Sequence, residues 1–67
     1  MKNNAWYDAG LRYGMKIGRG FCPDPRGFIR LTAKGHVRRA LTLAQKVEIE
    51  REFTAGAMKG YLEAIQK

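Results

Sequence analysis

Two stretches of the chain share one pattern: Tyr7-Asp8-Ala9-Gly10-Leu11-Arg12-Tyr13-Gly14 near its start and Phe53-Thr54-Ala55-Gly56-Ala57-Met58-Lys59-Gly60 near its end. Each sets Ala-Gly-x-x-x-Gly just after an aromatic. A glycine inside a helix is worth roughly 1 kcal/mol less than an alanine, so glycines four apart on two amphipathic segments need a compensating return. Residues four apart lie above one another on one helix face. Gly10, Gly14 and Gly18 therefore cut a groove into the first segment, and Gly56 and Gly60 cut another into the last. Two such grooves allow close backbone approach. The expected fold class is all-α, a small helical domain of two to three helices with the first and last packed through these faces.

Working outward, Asn3 or Asn4 is expected to cap a first helix over about 4–18, with Asp8 near its positive end. The stretch GRGFCPDPRG from Gly18 to Gly27 then holds three glycines and two prolines, which predicts a stiff loop over 19–31. Phe28 to Leu31 would add a short extended piece at most. From Thr32 onward there is no proline. Val37, Ala40, Leu41, Ala44 and Val47 make one apolar stripe, and Ile49, Phe53, Gly56, Ala57, Gly60 and Ala64 another. At about 100° per residue the two point in nearly opposite directions. A break reconciles them, and Thr42-Leu43-Ala44-Gln45 reads as a capping box in which Thr42 caps and Gln45 reaches back. The expected course is a short helix over about 33–41, capped by Thr32, and a long helix over about 43–66. A single long helix packed on both faces is the alternative, because Met58, Leu62 and Ile65 prolong the first stripe.

Sixty-seven residues make one domain, and at this size folding buries only about 60% of the surface the unfolded chain exposes. One cysteine, Cys22, and one histidine, His36, provide neither a disulfide nor a metal cluster, so no metal or cofactor is expected. A partner or a homodimer can supply the missing stability. The unpaired cysteine and an N-terminus without an apolar signal core lead to a cytoplasmic expectation. No window approaches the ~18 apolar residues of a membrane span, and Arg12, Lys16 and Lys59 interrupt the glycine-bearing segments. The chain has no serine and only two aspartates, a poor inventory for assembling a nucleophile with its base; it is expected not to be an enzyme. Gly14 to Gly20 matches neither the Walker pattern nor the dinucleotide fingerprint.

The net charge of +7 is confined to one part of the chain. Residues 1–42 carry nine cations against Asp8 and Asp24, whereas residues 43–67 carry four of each sign. Five of the nine are arginines between positions 19 and 39, and the planar guanidinium fork suits phosphate oxygens. The run Lys34, His36, Arg38, Arg39, preceded by Arg26 and Arg30, is the leading candidate for phosphate contact, with Arg12, Lys16 and Arg19 added from the first helix and its exit. Such contacts give affinity and position without reading sequence. Phe21 and Phe28 flank the loop between the clusters, as core plugs or as stacking platforms for unpaired bases. A solvated charged face is the competing use of the same residues.

The order of features, a helix with glycines four apart, Gly18-Arg19, Cys22-Pro23 and later Gly60-Tyr61-x-Glu63-Ala64, resembles ribosome modulation factor and its small bacterial and phage relatives. The likeness covers residues 7–23 and 53–65. Asp24 stands where family members usually have an aromatic, Tyr61 where they have tryptophan, and the connector from Cys22 to Gly60 is longer. The resemblance implies a basic two-helix protein that binds ribosomal RNA and ribosomal protein surfaces and silences ribosomes. With the charge, it makes RNA-binding on the ribosome or another structured RNA, with modulation of translation, the leading expectation. A phage or mobile-element inhibitor that binds a host nucleic-acid-handling protein complex is the alternative. Sequence-specific DNA binding is disfavoured, because the helix after Thr42 carries Glu48, Glu50 and Glu52, which a DNA backbone would repel.

Overall fold

The first helix, α1 (Ala5–Arg19), carries Asp8 in its first turn and Lys16 and Arg19 in its last, each sign at the end where the helix dipole favours it. The structure, a computed structural model, describes residues 5–20 and 22–66; the expected Asn3 or Asn4 cap and Phe21 lie outside them. Helices account for most of the described residues, and no strand occurs among them.

The second helix departs from expectation. The predicted loop over 19–31 ends early, and the helix expected at 33–41 instead spans Pro25–Arg38 as α2. Its start is fixed by Asp24, whose Oδ1 accepts a hydrogen bond from the Gly27 backbone N–H at 3.2 Å, and by Pro25 in the first turn. Proline there loses no helical hydrogen bond, and its fixed φ suits the helix. The residues read as punctuation thus start a helix, and Phe28 to Leu31 are helical rather than extended. Thr32 is no cap: its hydroxyl donates to the Tyr13 hydroxyl at 2.9 Å, and Tyr13 donates onward to the Phe28 carbonyl at 3.4 Å, joining α1 to α2.

A turn at 39–42 follows, where the Arg39 and Ala40 N–H groups bond the His36 and Val37 carbonyls. Thr42 then caps α3 (Leu43–Glu48), accepting from Gln45 N–H at 3.1 Å. Gln45 reaches back as expected, but its Oε1 accepts from Leu41 N–H at 2.9 Å, one residue ahead of the cap. Without interruption α3 runs through a π-helical turn, Ile49–Phe53, into α4 (Thr54–Ile65). The π turn, together with the break at 39–42, changes the angle between the two opposed stripes. Val47 and Gly56 are nine residues apart, about 180° round an ideal helix; one residue inserted by an i→i+5 turn takes about 100° off that angle. The turn itself carries Ile49 and Phe53 into the core beside Ala57 of α4, whereas Leu43 and Val47 on α3 stay exposed.

Helices α1 and α4 pack along their length and run parallel. A methyl on Gly10 would overlap the Phe53 carbonyl oxygen and stand 2.9 Å from Ala57 N; a methyl on Gly56 would overlap the Tyr7 carbonyl oxygen and stand 3.0 Å from Leu11 N. Gly14 faces Ala57 and Tyr61 as Gly60 faces Leu11 and Met15. Each of these pairs is related by the same 46-residue offset, so the two motifs form an internal pseudo-two-fold with equivalent contacts on both sides. Gly18 extends the seam, with Ala64 Cβ 2.6 Å from where its own Cβ would lie. Between parallel α1 and α4 the chain returns through antiparallel α2, which places His36 beside Trp6 at one end and Thr32 beside Tyr13 further along.

The core is small: Ile29 and Ala33 from α2, Ile49 and Phe53 from the π turn and Ala57 from α4 are buried, ringed by Trp6, Tyr13, Ile17, Val37, Ala40 and Met58. Phe53 is its centre, with its ring 5.7 Å from that of Tyr13 and 5.0 Å from that of His36. The Cα trace measures 37 × 27 × 12 Å, so the molecule is a slab and α2 presents a long outer face.

Candidate functional site

Because α2 begins at Pro25, Arg26, Arg30, Lys34 and Arg38 all sit on one helix at a spacing of four, and Arg39 follows as its C-cap. Arg26 and Arg30, expected in a loop, are therefore part of a regular ridge. At 1.5 Å rise per residue the four span about 18 Å, an axial length over which one strand of a duplex carries about five phosphates. All five side chains are exposed, and none is held in an ion pair among the described residues.

The remaining expected cations, Arg12, Lys16 and Arg19, are also exposed but are not gathered with the ridge. Arg12 and Lys16 each follow an α4-facing glycine by two residues, about 200° round the helix, and so lie opposite the α1–α4 seam. Arg30 and Lys34 each lie two residues from Thr32, which meets α1, so the α2 ridge is turned away from α1. The eight cations form two basic surfaces instead of one.

His36 leaves the phosphate cluster to which the sequence assigned it. Its ring lies 5.2 Å from that of Trp6 and 5.0 Å from that of Phe53, tilted 57° to each, a packing role between two aromatics. Cys22 lies ahead of α2 and His36 in its last turn, separated by roughly 16 Å of helix rise, so they form no nucleophile–base pair. Phe28 is 48% exposed on α2 and is not the core plug that one reading of the sequence favoured. Among the described residues no group of three His, Cys, Asp or Glu side chains could hold a metal ion, and no helix is long and apolar enough to cross a membrane.

A second feature went unread in the sequence. Along the junction of α2 with α3 and the π turn runs a trough of about 660 Å³. Its apolar lining is Ala33 and Val37 from α2 with Leu43 and Val47 from α3; its charged lining is Arg30 and Lys34 on the α2 side, Lys46 and Arg51 on the side of α3 and the π turn, and a single carboxylate, Glu50. The signal for it was the i,i+4 pair Leu43–Val47 after the Thr42 cap, but its partner face on α2 cannot be read until α2 is known to begin at Pro25.

Comparison with protein-family models, with curated proteins and with solved structures finds no match.

Proposed function

We propose that this chain is a non-enzymatic RNA-binding protein that docks on structured RNA, with the ribosome as its expected target and modulation of translation as the outcome. The observation that carries the reading is the ridge Arg26, Arg30, Lys34, Arg38 with Arg39 at its end, exposed and unpaired among the described residues. Four arginines and a lysine at regular spacing meet a run of phosphates with charge-assisted hydrogen bonds and read no base edge, as suits recognition of RNA by shape and backbone. Within that class the ribosome is favoured by the motif order that resembles ribosome modulation factor. Arg12, Lys16 and Arg19 on the separate α1 surface would meet a second part of a large target or none.

Five phosphate contacts give a log-log salt slope between about −3.5 and −4.5, applying single-strand and duplex coefficients by analogy. Affinity should then fall by about 100- to 500-fold between 50 and 200 mM salt. The test is sedimentation of the tagged protein through a gradient of cell extract, followed by a salt titration on purified ribosomal RNA. Co-migration with ribosomal particles that is lost at high salt is expected. A nearly flat salt response, or capture of the same partner from nuclease-treated extract, would overturn the reading.

A further inference from the structure

We infer that the trough between α2 and α3 is a docking site for an acidic amphipathic helix of a partner protein. The apolar floor is the first argument. Leu43 and Val47 stand four apart on one face of α3 and remain 76% and 52% exposed, beside Val37 on α2. Neither is needed for the α3 cap, which Thr42 and Gln45 provide. The first turn of a helix favours a carboxylate, yet this one begins with an exposed leucine. An apolar strip bounded by charge marks an interaction surface.

The rim identifies the occupant. Cations on both sides, Arg30 and Lys34 facing Lys46 and Arg51, outnumber the single Glu50. A second copy of this chain would present the same positive rim and be repelled, whereas a helix with glutamates or aspartates flanking an apolar stripe would meet complementary charge on both edges. From Leu43 to Thr54 the trough follows about 16 Å of helix, enough for anchors at i, i+3, i+4 and i+7 of a docked helix. Phosphate binding has no use for the leucine and valine on the floor. The inference stands independently of RNA docking, although Arg30 and Lys34 belong to both surfaces and the two ligands should compete.

The test uses the nuclease-treated full chain and a synthetic helical peptide with leucines at i, i+3, i+4 and i+7 and glutamates on both flanks. Its controls are the same peptide with every glutamate replaced by lysine and a scrambled acidic version. Anisotropy titration should show the acidic amphipathic peptide binding at least about tenfold more tightly than either control. Amide shift changes should concentrate at Val37, Leu43, Val47 and Thr54. Leu43→Gln and Val47→Gln, both at exposed helical positions, should each weaken binding about five- to tenfold with the thermal midpoint and helical content retained. The wild-type shift map keeps the test decisive should either variant misfold. Equal affinity for the scrambled peptide, or shifts mapping outside the trough, would overturn the inference. So would a concentration-dependent dimer dissolved by Leu43→Gln, which would make the occupant a second copy. An RNA oligonucleotide that shifts Leu43 and Val47 and loses affinity in Val47→Gln would overturn it in favour of RNA.

Discussion

The glycine seam yields the sharpest expectation, from a comparison of Gly14→Ala with Gly35→Ala. Both glycines lie inside helices, so on intrinsic propensity each alanine should stabilise by about 1 kcal/mol. Gly35 meets nothing within 4 Å of an added Cβ and should realise that gain. At Gly14 the methyl would overlap the Ala57 carbonyl oxygen and stand 2.7 Å from its carbon and 2.8 Å from Tyr61 N, against 3.4 Å for ordinary contact. These are backbone atoms of the facing helix, so α1 and α4 must part by more than half an ångström. A gap of about 0.5–1 Å forfeits a quarter to a half of each dispersion contact, and overpacking of this kind costs about 1–3 kcal/mol. Gly14→Ala should therefore destabilise by about 1–3 kcal/mol and Gly35→Ala stabilise by about 0.5–1 kcal/mol. In a domain of this length 1 kcal/mol moves the melting midpoint by about 4–8 °C, so the two should diverge by about 6–30 °C in far-UV circular dichroism melts. The pseudo-two-fold adds a second condition: Gly60→Ala should resemble Gly14→Ala, and the double variant should lose less than the sum, because one methyl already opens the seam. Equal stabilisation by Gly14→Ala and Gly35→Ala would refute close helix approach.

Three other expectations follow from single contacts and charges. Tyr13→Phe removes the hydroxyl that accepts from Thr32 across the α1–α2 interface and should lower stability in urea titration by about 0.5–1.5 kcal/mol. Asp24→Ala removes the α2 cap and should cost about 0.5–2 kcal/mol, with faster amide exchange in the first turn of α2. On RNA, neutralising any one of Arg26, Lys34 or Arg38 should flatten the log-log salt slope by about 0.7–0.9, whereas Arg12→Gln should leave the slope of the α2-bound contact unchanged.

The seam was legible because its signal, glycine at a spacing of four on two segments, needs no knowledge of the rest of the fold: Gly10, Gly14, Gly56 and Gly60 all meet facing backbone. The parallel direction of α1 and α4 was not legible, since a groove is the same read from either end. The error over 19–31 came from Pro25. A proline's fixed φ ends one helix and begins another equally well, and only Asp24 one residue before it, with its bond to Gly27 N–H, distinguishes the two. Misplacing that start hid the phase of Arg26 and Arg30, so these two could not be placed on a helix face with Lys34 and Arg38. His36 was misread for a related reason: its sequence neighbours are basic, whereas its spatial neighbours are Trp6 and Phe53. The π turn left one trace in the sequence, the opposition between the Val47 and Gly56 stripes, to which a helix break was the simpler answer.

The α2 ridge also has a cost that separates function from solubility. Arg26, Arg30, Lys34 and Arg38 form three successive i,i+4 pairs of like charge, and each such pair destabilises a helix by about 0.2–0.5 kcal/mol. Their side chains project from positions about 6 Å apart along the axis, inside the ~8 Å Debye length at physiological salt, so screening does not erase the repulsion. Solubility alone is served as well by the same charges scattered among carboxylates, and α2 has no acid in its first turn to offset them. Arg30→Gln relieves two of the three pairs and should raise the melting midpoint by about 2–8 °C while weakening RNA binding and its salt slope. Such opposed changes are the mark of a surface kept for binding at the expense of stability. A variant that gains stability and keeps full RNA affinity would reduce the ridge to a solvated face. A variant that loses both would show that Arg30 supports the fold through its place in the lining of the trough.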